Sequence, residues 1–505
     1  MNLRKLIALF ATLIMVSGTA FAAPTEEAAQ AQEVTLNWLG IGPGIQRDAE
    51  DVWALWNEEL QSYLPGVTVE FELHPPYEYA DRFKLAMAAN EQIDVANRMW
   101  MMNFFQEIDR GALMPLNDLL DEYGQGILDA VPQFAIDTVT FDGNIYNIPT
   151  SWAADWRPGF RFHKELADKT GMEEKSRRIA DSELGTQEVY DLLETYLKQA
   201  QDDGVLGTGI SPTLLSWVWG KGYEGVARGV SIRQDGSDFE LVNIYETDSF
   251  RTVIEVAADW FAKGYIRKDY LGTDIQELRK DDGKPLGEGA VVWVHLYDPT
   301  KSEEETARYG IPIVVYSGAR QAFVGHNPGP NNLAIPTTAK HPEQAMQVIN
   351  LLFTEPEVYF RLTYGIEDTH YRNRTEHDFE PIGYTGIQGS EDSPYGLYPW
   401  AVGNFQDLIL WPPGTDGKAW KERQYAITAD ARTSPLVGFP KDVSGLTTEI
   451  SQIQAVEREM VDSLLSGALP DWEETYETFI EKLHAAGVDR VREELQSQID
   501  AWRAS

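Results

Sequence analysis

The sequence predicts an α/β protein whose first part is a doubly wound, mainly parallel sheet. Two observations predict it. A strand, an amphipathic helix and a second strand succeed one another within residues 34–73, and the same kind of pattern returns near Ile335 after a long stretch of different character.

The first strand, Val34-Thr35-Leu36-Asn37-Trp38-Leu39, alternates in polarity and runs into the turn Gly40-Ile41-Gly42-Pro43-Gly44. Ile45, Ala49, Val52, Trp56, Leu60 and Tyr63 then recur at steps of three and four, the spacing of one helix face. Pro65-Gly66 ends that helix, and Val67 to Leu73 reads as a second strand. The three make a βαβ unit with a right-handed crossover. A helix over Asp81–Ala89, a short buried strand over Ile93–Ala96, and a stretch from Phe104 to Leu120 with a helix, a turn at Gly111 and a second apolar run continue the pattern. Asp142-Gly143-Asn144 is a turn feeding Ile145–Pro149.

Beyond Pro149 the character changes. Residues 165–203 are charged and helical, Ser211 to Trp219 is aromatic, and 231–243 reads as a polar hairpin. A helix follows through Val253, Ala257 and Phe261, and Gly289–Val294 is a buried strand. Pro342 opens a helix whose apolar face carries Met346, Ile349, Leu352 and Phe353; Pro356 opens the next, which ends on Gly365. From Glu449 onward the chain is helical, and no internal repeat is present.

The N-terminus predicts export. Arg4 and Lys5 precede the apolar run Leu6–Val16, and Ala20-Phe21-Ala22 is a small-x-small site, so a signal peptide over 1–22 is expected to be cut after Ala22. The run is too short to span the roughly 30 Å of a bilayer's hydrocarbon. The chain has no Cys, which removes disulfides, thiolate chemistry and a lipid on an N-terminal Cys. A periplasmic protein that is not a lipoprotein is therefore expected, with residues 23–32 as a polar leader. The 80 acidic against 42 basic residues give a net charge of −38, a field that repels nucleic acid and anionic head groups. A neutral ligand suits it better than a polyanion.

Several segments together resemble the family 1 extracellular solute-binding proteins, the capture components of sugar-type ABC importers. They are Phe104 to Glu107 with Gly111 to Leu120, Phe141 to Pro149, Asn332 to Met346, Glu355 to Tyr359, and Asn404-Phe405. The resemblance implies two α/β lobes, a ligand cleft between them, crossing segments that act as a hinge, and a membrane permease as partner. By that analogy lobe one is 33–149 plus 320–363 and lobe two is 150–319 plus 364–505, in a monomer.

A sugar site needs flat aromatic surfaces for C–H faces and fixed polar groups for hydroxyls. The 15 Trp and 22 Tyr supply the first, many of them in predicted loops. The candidates are Tyr77, Trp100, Trp152, Trp156, Trp217, Trp219 and Trp400, with Asn103, Asp155, Asp298 and Asn404 as hydroxyl partners. Each Trp can equally fill a core, and an Asp in so acidic a chain is ordinarily a solvated surface residue. Trp53 and Trp56 sit on a helix and read as core.

No catalytic signature emerges. His-Glu-x-x-His, Gly-x-Ser-x-Gly and a Walker A loop are missing, Gly414 to Lys418 has the wrong spacing for a phosphate loop, and the eight His are dispersed. No enzyme activity, cofactor or metal is expected. Two alternatives stay open: a secreted glycoside hydrolase, which needs two cleft carboxylates, and a binder of another neutral or cationic solute.

Overall fold

In the computed structural model the described residues are 33–99, 102, 104–141, 143–152, 158–181, 184–207, 209, 210, 212, 215, 218, 220, 222–272, 292–294, 301–325, 331–439 and 441–504. The expected signal peptide and leader lie outside them.

Strand β1 (Val34–Ile41) pairs in parallel with β2 (Val67–His74) and β3 (Val95–Met99). The late strand Asn331–Ala334 adds antiparallel to β3, and Ile148–Pro149 closes the edge. This insertion of residues 331–334 is the return of the α/β signal near Ile335. Leu36 and Trp38 of β1 join Val52 and Trp56 of helix α1 (Ala49–Leu60) in one core, while Leu39 and Ile41 join Tyr79 and Phe83 of helix α2 (Pro76–Ala89) on the opposite face. A strand buried on both faces is what a doubly wound sheet requires.

The boundaries moved where local chemistry outweighed periodicity. Helix α1 starts at Ala49 rather than Ile45, whose side chain is 72% exposed. Helix α2 starts at Pro76, where a missing N–H costs nothing, and stops at Asn90 in the left-handed region with φ 53°. Asp94 is fully buried, and its carboxylate accepts from the backbone N–H of Asn37, Lys340 and His341. It thereby fastens the start of helix Pro342–Thr354 to the sheet.

The second body centres on Gly159–His163, flanked antiparallel by Val292–Val294 and Ile313–Ser317. A separate meander, Tyr223–Ala227, Val230–Arg233 and Leu241–Asn243, contains the expected hairpin. The charged stretch after 163 divides into helices Lys164–Thr170, Met172–Asp181 and Thr186–Asp202. With Asp248–Lys263 and the C-terminal helices Thr447–Leu465, Trp472–Ala485 and Val488–Ala504 they enclose one core containing Phe160, Tyr190, Trp260, Phe479 and Leu495. Arg161 and Glu305 form a buried ion pair beneath the central strand.

The division between lobes differs from the expected one on the C-terminal side. Tyr371, Phe379, Tyr395, Leu397, Val402 and Leu410 pack in the first core, and the second core resumes only at Leu436. The Tyr395 hydroxyl donates to the Leu362 carbonyl at 2.6 Å, and the Tyr364 hydroxyl oxygen accepts from the Leu410 N–H at 2.9 Å. This stretch has little regular structure, so no periodicity advertised its home. Among the described residues the chain therefore changes core at three places: after Trp152, before Asn331, and between Trp411 and Leu436.

Candidate functional site

In an open parallel sheet a ligand meets the carboxyl ends of the strands. Here that edge is the turn Gly42–Ile45 after β1, the end of β3, and the segment Tyr398–Ala401 laid across them. Asn97 of β3 holds the three together. Its Oδ1 accepts from the Ile41 N–H at 3.1 Å, and its Nδ2 donates to the Ala401 carbonyl at 2.7 Å. Tyr79 of α2 braces β3 from below by donating to the Asn97 carbonyl.

On this support the Trp400 indole stacks on the Tyr398 ring, with centroids 5.1 Å apart and planes 18° apart. Both rings are partly exposed. The Trp400 Nε1 donates to Gln388 Oε1 at 3.2 Å, and its carbonyl accepts from Thr150 Oγ1 at 2.6 Å. Thr150 also receives the Phe405 N–H at its carbonyl. The platform is thus tied directly to the first crossing between lobes.

The other candidates have different surroundings. Tyr77 lies in the first turn of α2, not in a loop, and is 59% exposed. Trp152 is 4% exposed within the first core. Asn404 is buried and caps the short helix Phe405–Leu408: its Oδ1 accepts from the Asp407 N–H at 3.1 Å, and its Nδ2 donates to Asp407 Oδ2 at 3.2 Å. Both faces of that amide are engaged by protein. Trp100, Asn103, Asp155, Trp156, Trp217, Trp219 and Asp298 lie outside the described residues.

Sequence reasoning missed Tyr398 and Asn97. Tyr398-Pro399-Trp400 carries two rings at aromatic-x-aromatic spacing, a signal open to reading in the sequence. Asn97 carried no signal, because its role depends on a contact with a residue 304 positions away. It also missed two buried cations. Arg98 donates to the Met102 carbonyl at 3.1 Å and lies over the Phe104 ring; burial lowers it to about 10 despite the nearby Glu107. Burial raises the Glu107 carboxyl to about 7, against the pull of Arg98. Lys441 donates to the Val226 carbonyl at 2.8 Å, and burial brings it down to about 8. Among the described residues no group of three or more His, Asp or Glu is placed to hold a metal ion.

A family model described as bacterial extracellular solute-binding protein matches residues 49–358, more than half of the chain. The chain belongs to that family. A second model, a domain of unknown function (DUF3502), matches 435–504, which are the final stretch of the second core. A carbohydrate ABC transporter substrate-binding protein of Streptococcus pneumoniae is 23% identical over 84% of this chain and 82% of its own length. Among solved structures, the N-glycan transport solute binding protein NgtS of Streptococcus pneumoniae aligns with TM-score 0.73 and 20% identity, over 92% of this chain and 98% of its own. An HMO-binding, ABC-transporter-associated solute binding protein of Bifidobacterium longum infantis aligns with TM-score 0.61 and 15% identity, over 93% and 98%. These likenesses identify the fold as the two-lobed α/β architecture of solute-binding proteins.

Proposed function

We propose that this protein captures a carbohydrate between its lobes and delivers it to the membrane permease of an ABC importer. The observation that carries the reading is the stacked Tyr398–Trp400 pair at the carboxyl end of the first sheet, joined through Thr150 to a crossing segment. A flat, partly exposed aromatic surface complements the C–H face of a sugar ring, and hydroxyls then need only a few fixed donors and acceptors. Placed beside a crossing, it lets the bound ligand favour whichever lobe arrangement adds contacts to it.

Family membership and the similar transporter proteins support capture without catalysis. Among the described residues no helix is long and apolar enough to cross a membrane. We place the mature protein in the periplasm as an unlipidated monomer released by cleavage after Ala22. NgtS has been solved with Man1GlcNAc, in a structure that aligns with TM-score 0.68 and 20% identity over 93% of this chain and all of its own. Short mannose- and GlcNAc-containing oligosaccharides are accordingly the first ligands to try.

The test is titration of the mature protein with a panel of mono- and oligosaccharides, following Trp fluorescence and melting temperature, with each mixture then assayed for released reducing ends. Saturable shifts with intact sugar support the receptor. Cleaved sugar would make it a hydrolase, and shifts confined to amines or peptides would make it a receptor of another class.

A further inference from the structure

We propose that Gln388 selects an N-acetylated sugar on this platform: its amide, turned by Trp400, presents donors alone, and these take the acetamido carbonyl of a ring stacked on Tyr398–Trp400. The inference rests on the capture reading above and names the class of sugar that the same site takes.

The orientation of the amide is forced. An indole N–H can only donate, so the Trp400 Nε1 contact at 3.2 Å sets Oε1 of Gln388 against the ring and turns Nε2 away from it. Gln388 is exposed, and its Nε2 has no partner among the described residues.

The backbone that carries this side chain is held. Gln46, 3% exposed, donates through Nε2 to the carbonyls of Ser390 at 2.9 Å and Gly396 at 3.2 Å, and its Oε1 accepts from the Gly396 N–H at 3.1 Å. The Ser390 N–H donates to Ser393 Oγ at 2.9 Å. A Cβ placed on Gly389 would fall 2.5 Å from the Gly396 carbonyl oxygen, so the residue next to Gln388 packs on the returning chain. Gln46 belongs to the turn that follows β1, and the loop is thereby fastened to the sheet edge that supports Trp400. An oriented amide on held backbone loses less freedom when it binds.

What this edge favours follows from its having donors and no free acceptor. A sugar hydroxyl would use half of its capacity here, because Gln388 leaves its O–H nothing to donate to. Groups that only accept suit the edge better. Sugars offer two strong ones, the acetamido carbonyl and the carboxylate of a uronic acid; ring and glycosidic oxygens are weaker acceptors. The net charge of −38 opposes the carboxylate, and Glu391 and Asp392, both exposed on the same loop, oppose it locally. The neutral acetamido group is left. Its methyl calls for an apolar neighbour, and Ile45, directly before Gln46 on the anchoring turn, is 72% exposed.

Calorimetric titration with N,N′-diacetylchitobiose and cellobiose tests this. The two share rings and linkage and differ only in acetamido against hydroxyl at the second carbon of each ring. The wild type binds the acetylated disaccharide about five-fold or more tighter, the worth of one hydrogen bond to its carbonyl. Gln388→Glu still accepts from Trp400 Nε1 but has nothing to donate. It loses that preference and keeps or gains affinity for cellobiose, whose hydroxyl can donate to the new carboxylate. A preference carried unchanged into Gln388→Glu would overturn the role of Gln388, as would a wild type that makes no distinction between the pair. A wild type that binds neither disaccharide yet is saturated by another sugar of the panel overturns this inference and leaves sugar capture standing. Saturation by no sugar at all overturns both.

Discussion

The Trp400 indole and the Tyr398 ring lie nearly parallel, 18° apart at 5.1 Å, over the carboxyl end of the first sheet. The main chain of Trp400 is fixed by Thr150, so replacing its side chain leaves that hydrogen bond in place. Trp400→Ala should therefore keep the fold and weaken binding of any sugar that saturates the wild type. The expected loss is about 1–2 kcal/mol, roughly five- to thirty-fold in Kd. Fluorescence titration with matched far-ultraviolet circular dichroism measures it. Unchanged affinity would remove the platform from the site.

Trp56 does the opposite work. It is fully buried on α1, and its Nε1 donates to the Val358 carbonyl at 2.9 Å, joining the first helix to Pro356–Tyr364 across the core. Trp56→Ala should destabilise the first lobe by about 3–5 kcal/mol. Trp56→Phe keeps most of the apolar surface and removes only the indole hydrogen bond to a carbonyl already engaged within its helix, for about 0.5–1.5 kcal/mol. Urea midpoints of that lobe's transition give both values, and a Trp56→Phe midpoint equal to the wild type's would refute the role of the hydrogen bond.

How legible these features were depended on whether they recur along the chain. Trp56 was readable as core because Ala49, Val52 and Leu60 share its helical face. The βαβ unit was readable for the same reason. The home of residues 371–410 was not: Tyr395 and Phe379 reach the first core from loops and two-residue strands, with no period to show which side they serve. Trp400 was singled out by its loop position, yet its partner ring two residues away was passed over. Asn404 also looked like a loop amide free for ligand, but an Asn just before a short helix is the commonest of caps.

Gly467 tests close approach between two helices. It follows helix Thr447–Leu465 with φ +70°, and a Cβ there would fall 2.0 Å from the Ala257 carbonyl oxygen of helix Asp248–Lys263. Gly467→Ala should cost more than about 2 kcal/mol, combining a left-handed backbone with a clash that backbone must move to relieve. Gly44 is the control. Its φ is +98°, but nothing lies within 4 Å of its Cβ position, so Gly44→Ala carries only the conformational cost of about 1–2 kcal/mol. Comparable losses at the two sites would show that the second lobe yields where the structure has it packed tight.

His370 sets an acid limit on the first lobe. Its ring is buried; Nδ1 accepts from the Ile366 N–H at 2.9 Å, which leaves Nε2 to donate to Asp48 Oδ2 at 3.2 Å. The imidazole is therefore neutral in the fold. Burial is the larger influence and lowers its pKa below 6.5, although Asp48 pulls the other way. A group whose folded pKa is depressed contributes stability that is present above its unfolded pKa and lost as pH falls below it, because the unfolded chain then binds the extra proton. Asp48 behaves separately: the Arg47 guanidinium holds its carboxyl at about 2, so its contribution starts to fade only below 3.8. Melting temperature should thus fall as the pH drops below about 6.5, before any loss from Asp48. His370→Gln, which can still accept from Ile366 and donate to Asp48, should flatten that first decline and leave the one at lower pH. A wild type and variant that decline in parallel through the upper window would show that another group sets the limit.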